Sequence, residues 1–114
     1  MSKGLSYKYV GTKGHIVSVI SGLPKNPNKL FLNGWKEITN SNQAKNSTSR
    51  VFVEESTGLR IRFDKGNNFS SGYASKDHYH IENPNATGKS DRYLDKDGNP
   101  VAKNSKKSHI VVKE

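Results

Sequence analysis

From about residue 50 onward the chain alternates apolar and polar residues with a period of two, and before that it does not. In "RVFVEESTGLRIRFDKG" two short β-type runs meet at Ser56, Thr57 and Gly58, the pattern of a hairpin. On the second run Leu59, Ile61 and Phe63 alternate with Arg60 and Arg62, so the apolar side chains face a core and both guanidinium groups face away from it. "DHYHIE" follows the same rule, with Tyr79 and Ile81 pointing one way and His78 and His80 the other. "RYLDKDGNPV" reads as a strand, a turn at Asp97, Gly98, Asn99 and Pro100, and a return. "SHIVVKE" reads as a closing strand carrying His109, Ile110, Val111 and Val112.

The first half is patterned differently. The apolar run from Ile16 to Ile20 is too short for its period to choose between strand and helix. In "NPNKLFLNGWKEITN", Asn28 is placed to cap a helix on which Leu30, Phe31, Trp35 and Ile38 share a face, with Gly34 weakening its middle. "NSNQAKNSTS" reads as an exposed loop. These elements predict an α+β fold: one domain, residues 1–114, with an N-terminal helical part packed on a small antiparallel sheet of four to five strands. Apolar residues make up only 31% of the chain, but five Tyr, four Phe and one Trp bury much area each, so a modest core is within reach.

Charge narrows the partners. Nineteen Lys and Arg stand against ten Asp and Glu, a formal charge of +9. The basic residues are interleaved with aromatic and β-branched ones, which marks a folded basic surface and not a basic tail. Such a surface attracts polyanions by counterion release and long-range steering, so nucleic acid is the leading partner and an acidic protein the second. The plain alternative is that the charge serves solubility alone. With no cysteine there is neither a disulfide nor a thiolate metal site. No apolar run approaches membrane-spanning length, and "MSKGLSYKYV" lacks the apolar segment of a secretion signal; no membrane partner is expected.

The histidines carry the candidate chemistry. Two imidazoles at i and i+2 share a strand face and can address one small ligand. A metal reading takes His78 and His80 as two ligands with Asp77 or His109 as a third, although zinc needs at least three and a bare His-x-His is weak support. A catalytic reading needs no metal and no cofactor. Cleaving RNA by attack of the 2′-hydroxyl on the adjacent phosphate takes a base, an acid and fixed cations, and histidine populates both protonation states near neutrality. His78, His80 and His109 supply the proton carriers, Lys76, Arg60 and Arg62 the cations, Ser108 and Tyr79 hydroxyl donors, and Tyr73 or Tyr93 a ring on which a base can stack. The plain alternative for "HYH" is a solvated strand face with idle imidazoles. Trp35 is assigned to the core, His15 to a structural or exposed role, and "DKDGNP" to a turn in preference to a calcium loop, since the later Glu ligand is missing.

The series "LRIRFDKG", "KDHYHIENPN", "RYLDKDGNPV" and "KKSHI" resembles the C-terminal toxin modules of bacterial polymorphic toxins of the contact-dependent, Rhs and LXG types, and within them a group assigned to the barnase/EndoU/RelE-like ribonuclease fold. The resemblance spans roughly residues 50–110. It implies metal-independent cleavage of tRNA or other cytosolic RNA, and a cognate immunity protein, expected to be acidic, that blocks the site. It also implies a monomer, secreted as the tail of a longer carrier and acting in the target-cell cytoplasm, the present chain being a piece that starts at an added Met. The matching positions are Lys76, Asp77, His78, His80, Ser108 and His109; Arg60, Arg62, Tyr79 and Lys107 are expected as substrate contacts on the residues' own chemistry, and which histidine is acid and which is base stays open. His80 is weighted above His78 because it sits deeper in its strand. Two other classes stay in view, a non-catalytic RNA-binding module and a metal-dependent nuclease acting on DNA.

Overall fold

A computed structural model describes residues 9–40, 49–66 and 76–112. The protein is α+β. Among the described residues six antiparallel strands form one open sheet in the order β1 (Trp35–Glu37), β2 (Arg50–Glu54), β3 (Arg60–Asp64), β4 (His78–Glu82), β5 (Tyr93–Leu94) and β6 (Pro100–Val101), each paired with the next. The helical part comprises α1 (Lys13–Ser21) and a 3-10 helix (Pro27–Asn33). No helix among the described residues is long and apolar enough to cross a membrane.

The short apolar run of the first half is resolved as helix by its cap. Thr12 keeps an extended backbone, and its side chain accepts from the His15 amide, satisfying one of the first-turn donors that a helix leaves unpaired. Ile16 and Ile20, one turn apart, then face the sheet. The helix expected after Asn28 is different in kind. Its cap is Asn26, it winds as a 3-10 helix, and it stops at Gly34, whose φ of 84° is the left-handed conformation that glycine adopts without penalty. Trp35 therefore lies on an edge strand and not on the expected helical face, and this extra strand is one reason the sheet has six strands instead of four to five.

One side of the sheet forms the main core. Ile16, Ile20, Leu23 and Leu30 from the helical part pack on Trp35, Phe52, Leu59, Ile61, Phe63, Tyr79, Ile81 and Leu94. The hairpin turns at Gly58, φ 83°, and the alternation of β3 is as the sequence predicts, with Leu59, Ile61 and Phe63 buried and Arg60 and Arg62 half-buried on the other side. His15 and Glu54 tie α1 to this hairpin: His15 Nε2 lies 2.6 Å from Glu54 Oε1, and the same carboxylate accepts from the Thr57 hydroxyl.

The closing strand is reduced to an isolated bridge. A 3-10 turn (Lys106–Ser108) is followed by Ile110, which exchanges backbone hydrogen bonds of 2.8 and 2.9 Å with Tyr79. Ile110 thus occupies the place beside the start of β4 that β5, pairing only at Ile81 and Glu82, is too short to fill. The loop expected at "NSNQAKNSTS" falls largely on residues 41–48, outside the described residues.

Candidate active site

The β3–β4 register builds the second face of the sheet. Arg62 stands opposite His80 and Asp64 opposite His78, and because paired residues project to the same side, all four share one face. Tyr93, paired with Glu82, lies on the same side. Since Ile110 enters the main core beside Tyr79, its predecessor His109 is turned to the opposite side, among the β4 histidines. The result is a cluster of three imidazoles. Ring centroids are 4.9 Å apart for His78 and His80, 4.8 Å for His78 and His109, and 4.7 Å for His80 and His109.

Hydrogen bonds orient the cluster. His78 donates through Nδ1 to the carbonyl of Lys76 at 2.8 Å, and His109 through Nδ1 to the carbonyl of Ser105 at 3.1 Å. Oδ2 of Asp64 lies 3.4 Å from Nε2 of both His78 and His80. Arg62 grips Asp64 with two bonds, Nε to Oδ1 at 3.0 Å and Nη2 to Oδ2 at 2.9 Å, and also donates to the Tyr93 hydroxyl at 3.1 Å. The Ser49 hydroxyl adds a bond of 2.6 Å to Asp64. The Tyr93 ring packs on His80 at 4.8 Å. Nδ1 of His80, in a residue only 3% exposed, has no hydrogen-bond partner among the described residues.

This environment sets the protonation states apart. Burial opposes ionisation of Asp64, but bonds from His78, His80, Ser49 and Arg62 together outweigh it and hold the carboxyl far below the usual carboxylate range. Burial pulls both β4 histidines toward the neutral form. In His78 the Asp64 carboxylate and the Lys76 carbonyl overcome that pull and raise the pKa, whereas in His80 burial prevails and the pKa falls.

The remaining predicted residues divide. Arg62 belongs to the cluster, while Arg60 lies farther along the same face, its Nε 3.8 Å from Glu82. Lys76 and Asp77 are exposed and line a cavity of about 260 Å³ with Lys25, Phe63 and Tyr79, residues outside the histidine cluster; Asp77 accepts from the Gly66 amide. Asp77 is therefore not a third ligand beside His78 and His80. Tyr79 is not a substrate-facing hydroxyl: its side chain fills the main core and its OH donates to the Pro24 carbonyl at 2.7 Å. Ser108 is fully buried and its hydroxyl donates to the Ser105 carbonyl, so it holds the turn that carries His109. Tyr93 is buried against His80 and does not offer an open face for a base; Tyr73 lies outside the described residues. The plain alternative, a solvated strand face, is not what forms, since His78 and His80 are only 5% and 3% exposed.

Asp64 is the residue sequence reasoning missed. The period-two rule that put Arg60 and Arg62 on one face extends to it, two positions on, but nothing local shows that two histidines would converge on its carboxylate.

His109 is half-buried and lines a cavity of about 360 Å³ whose rim carries Lys96, Lys106 and Lys107 together with Asp95 and Asp97. His109 is the member of the cluster that lines this cavity; His78 and His80 do not. The three histidines also present ligand atoms within 4.8 Å of one another, a separation relevant to cation binding. Fold and site together define an α+β domain with a buried three-histidine cluster keyed to an aspartate. No family model, curated protein or solved structure matches the chain.

Proposed function

We propose that the protein is a metal-independent endoribonuclease, the toxin module of a bacterial polymorphic toxin with a barnase/EndoU/RelE-like fold, which cleaves RNA by 2′-hydroxyl transesterification. The observation that carries this reading is the convergence of His78, His80 and His109, drawn from β4 and the C-terminal segment, on one spot beside Asp64 and Arg62. The chain's formal charge of +9, and three lysines against two aspartates lining the His109 cavity, suit a polyanion.

The chemistry requires one imidazole without a proton and another with one, at the same pH. His80, pushed toward neutrality by burial, is assigned as proton acceptor; His78, drawn toward its charged form by Asp64, as proton donor. The acceptor takes the 2′-hydroxyl proton, the oxygen attacks phosphorus, the bond to the 5′-oxygen breaks, and the donor protonates that oxygen. The products are a 2′,3′-cyclic phosphate and a 5′-hydroxyl. His109 stands at the mouth of the cluster, on a segment held to the sheet by the isolated Tyr79–Ile110 bridge, and RNA reaches the two buried rings as this segment yields. The reading extends to secretion on a larger carrier, action in the target-cell cytoplasm, tRNA as a candidate substrate, and an acidic immunity protein that covers the histidine face.

The test is incubation with total RNA in EDTA. Cleavage leaving cyclic-phosphate ends, abolished in His80→Ala and His78→Gln proteins that still melt cooperatively, supports the proposal. Binding without cleavage points to an RNA-binding module, and activity abolished by EDTA points to a metal nuclease; either result overturns it.

A further inference from the structure

A single imidazole is satisfied by one partner at each ring nitrogen; three imidazoles within one small volume create a different problem. If all were protonated they would repel at under 5 Å, and if all are neutral their lone pairs crowd together. A divalent cation resolves both. We propose that His78, His80 and His109 bind one zinc-class ion, and that an ion held there blocks RNA cleavage by occupying the lone pairs that proton transfer needs; the second half rests on the function proposed above, the first does not.

Four observations support the site. The three ligand atoms lie within 4.8 Å of one another, and tetrahedral zinc, with Zn–N near 2.0–2.1 Å, asks for about 3.3 Å between them. Closing that gap takes at most about 1.5 Å, shared among three rings that can rotate about χ2. His78 and His109 already donate through Nδ1 to backbone carbonyls, the arrangement that orients the ring in histidine metal sites and leaves Nε2 as the atom to meet an ion, which displaces any proton that nitrogen carries. Asp64 provides a carboxylate 3.4 Å from two of the rings, while Arg62, the neighbouring cation, is neutralised against it. Finally, His80 is 3% exposed yet leaves Nδ1 without a partner among the described residues, a buried polar atom of the kind that a ligand completes.

The donor set selects the ion. Neutral imidazoles favour zinc, copper and nickel over magnesium and calcium. His109 lies at the cavity, so a fourth coordination position would open toward solvent.

The experiment has two arms, both on the full chain after chelator treatment. In the first, Zn²⁺ is titrated calorimetrically, Co²⁺ is followed by its visible absorption, and Mg²⁺ serves as control. The variants are His109→Ala, at a half-buried position, and His78→Gln, which nearly conserves volume; circular dichroism verifies that each is folded. One Zn²⁺ per chain in the micromolar range or tighter, no Mg²⁺ binding, a zinc-dependent rise in melting temperature, and loss of binding in both variants are expected. Absence of Zn²⁺ binding to the wild type, or undiminished binding in the variants, overturns the site. In the second arm, RNA cleavage is measured along the same Zn²⁺ titration and should fall with the binding curve. Cleavage that is indifferent to Zn²⁺, or that requires it, overturns the block. Zinc bound normally with RNA intact in every condition supports the site and overturns both the block and the ribonuclease reading.

Discussion

Asp64 stands across the β3–β4 ladder from His78, with its Oδ2 3.4 Å from that residue's Nε2. The pairing explains how a histidine that is 5% exposed carries a raised pKa: a fixed negative charge offsets the penalty of burial. The same carboxylate neutralises Arg62, so its removal strands a cation. Asp64→Asn should destabilise the protein by about 1–3 kcal/mol, less than breaking a fully buried ion pair because Asp64 and Arg62 are both half-buried. Urea denaturation is the check, and a loss well under 1 kcal/mol would mean that the carboxylate is solvated in solution.

The pH dependence of stability follows from the same group. The folded pKa of Asp64 is depressed, so its contribution is present above the unfolded value, about 3.9, and is lost as pH falls toward the folded one. The two β4 histidines act in opposite senses. His78, raised, stabilises below about pH 6.5 and loses that contribution as pH rises through its folded value, while His80, lowered, favours the fold above about 6.5 and loses its contribution as pH falls. Their slopes oppose each other near neutrality. Urea midpoints should change little between about pH 6 and 7 and drop steeply below about pH 5, and the acid drop should shrink in Asp64→Asn.

His109→Ala removes the imidazole that reaches the lysine-rimmed cavity. In the proposed chemistry this ring stands at the mouth of the cluster and carries neither proton, so RNA cleavage in EDTA should fall by less than the factor of about 10²–10⁴ expected for loss of His80. Because the residue is half-buried and its neighbour Ser108 holds the turn, the melting transition should stay cooperative. Undiminished cleavage would remove His109 from the mechanism.

Tyr79→Phe separates core from site. The hydroxyl donates to the Pro24 carbonyl inside the main core, so its loss should cost about 0.5–1.5 kcal/mol and leave cleavage untouched. A selective fall in cleavage with stability unchanged would return Tyr79 to the substrate.

Gly34→Ala tests the end of the 3-10 helix. A Cβ at this position meets nothing within 4 Å, so the penalty is that of a left-handed backbone alone, about 1–2 kcal/mol by thermal or urea unfolding. A neutral substitution would show that the chain leaves Pro27–Asn33 by another path.

The strand pattern was legible because it is written locally. Side chains two apart share a face wherever the chain is extended, so Leu59, Ile61 and Phe63 separate from Arg60 and Arg62 in any sheet that buries one side, and Gly58 marks the turn. Trp35 was misread because three residues are too few to establish a period, and the glycine before it, read as a weak point within a helix, instead ends one.

The amino-acid sequence alone determined the alternating strands, the hairpin, the basic charge and the shared face of His78 and His80, all of which depend on residue type and short-range spacing. Only the tertiary structure decided that His109 would join them, that Asp64 would lie beside two of the rings, and that the Tyr79 hydroxyl would be taken by the Pro24 carbonyl. Those outcomes depend on register and on the isolated Tyr79–Ile110 bridge, contacts between distant segments whose energies come from packing the whole sheet and leave no local trace.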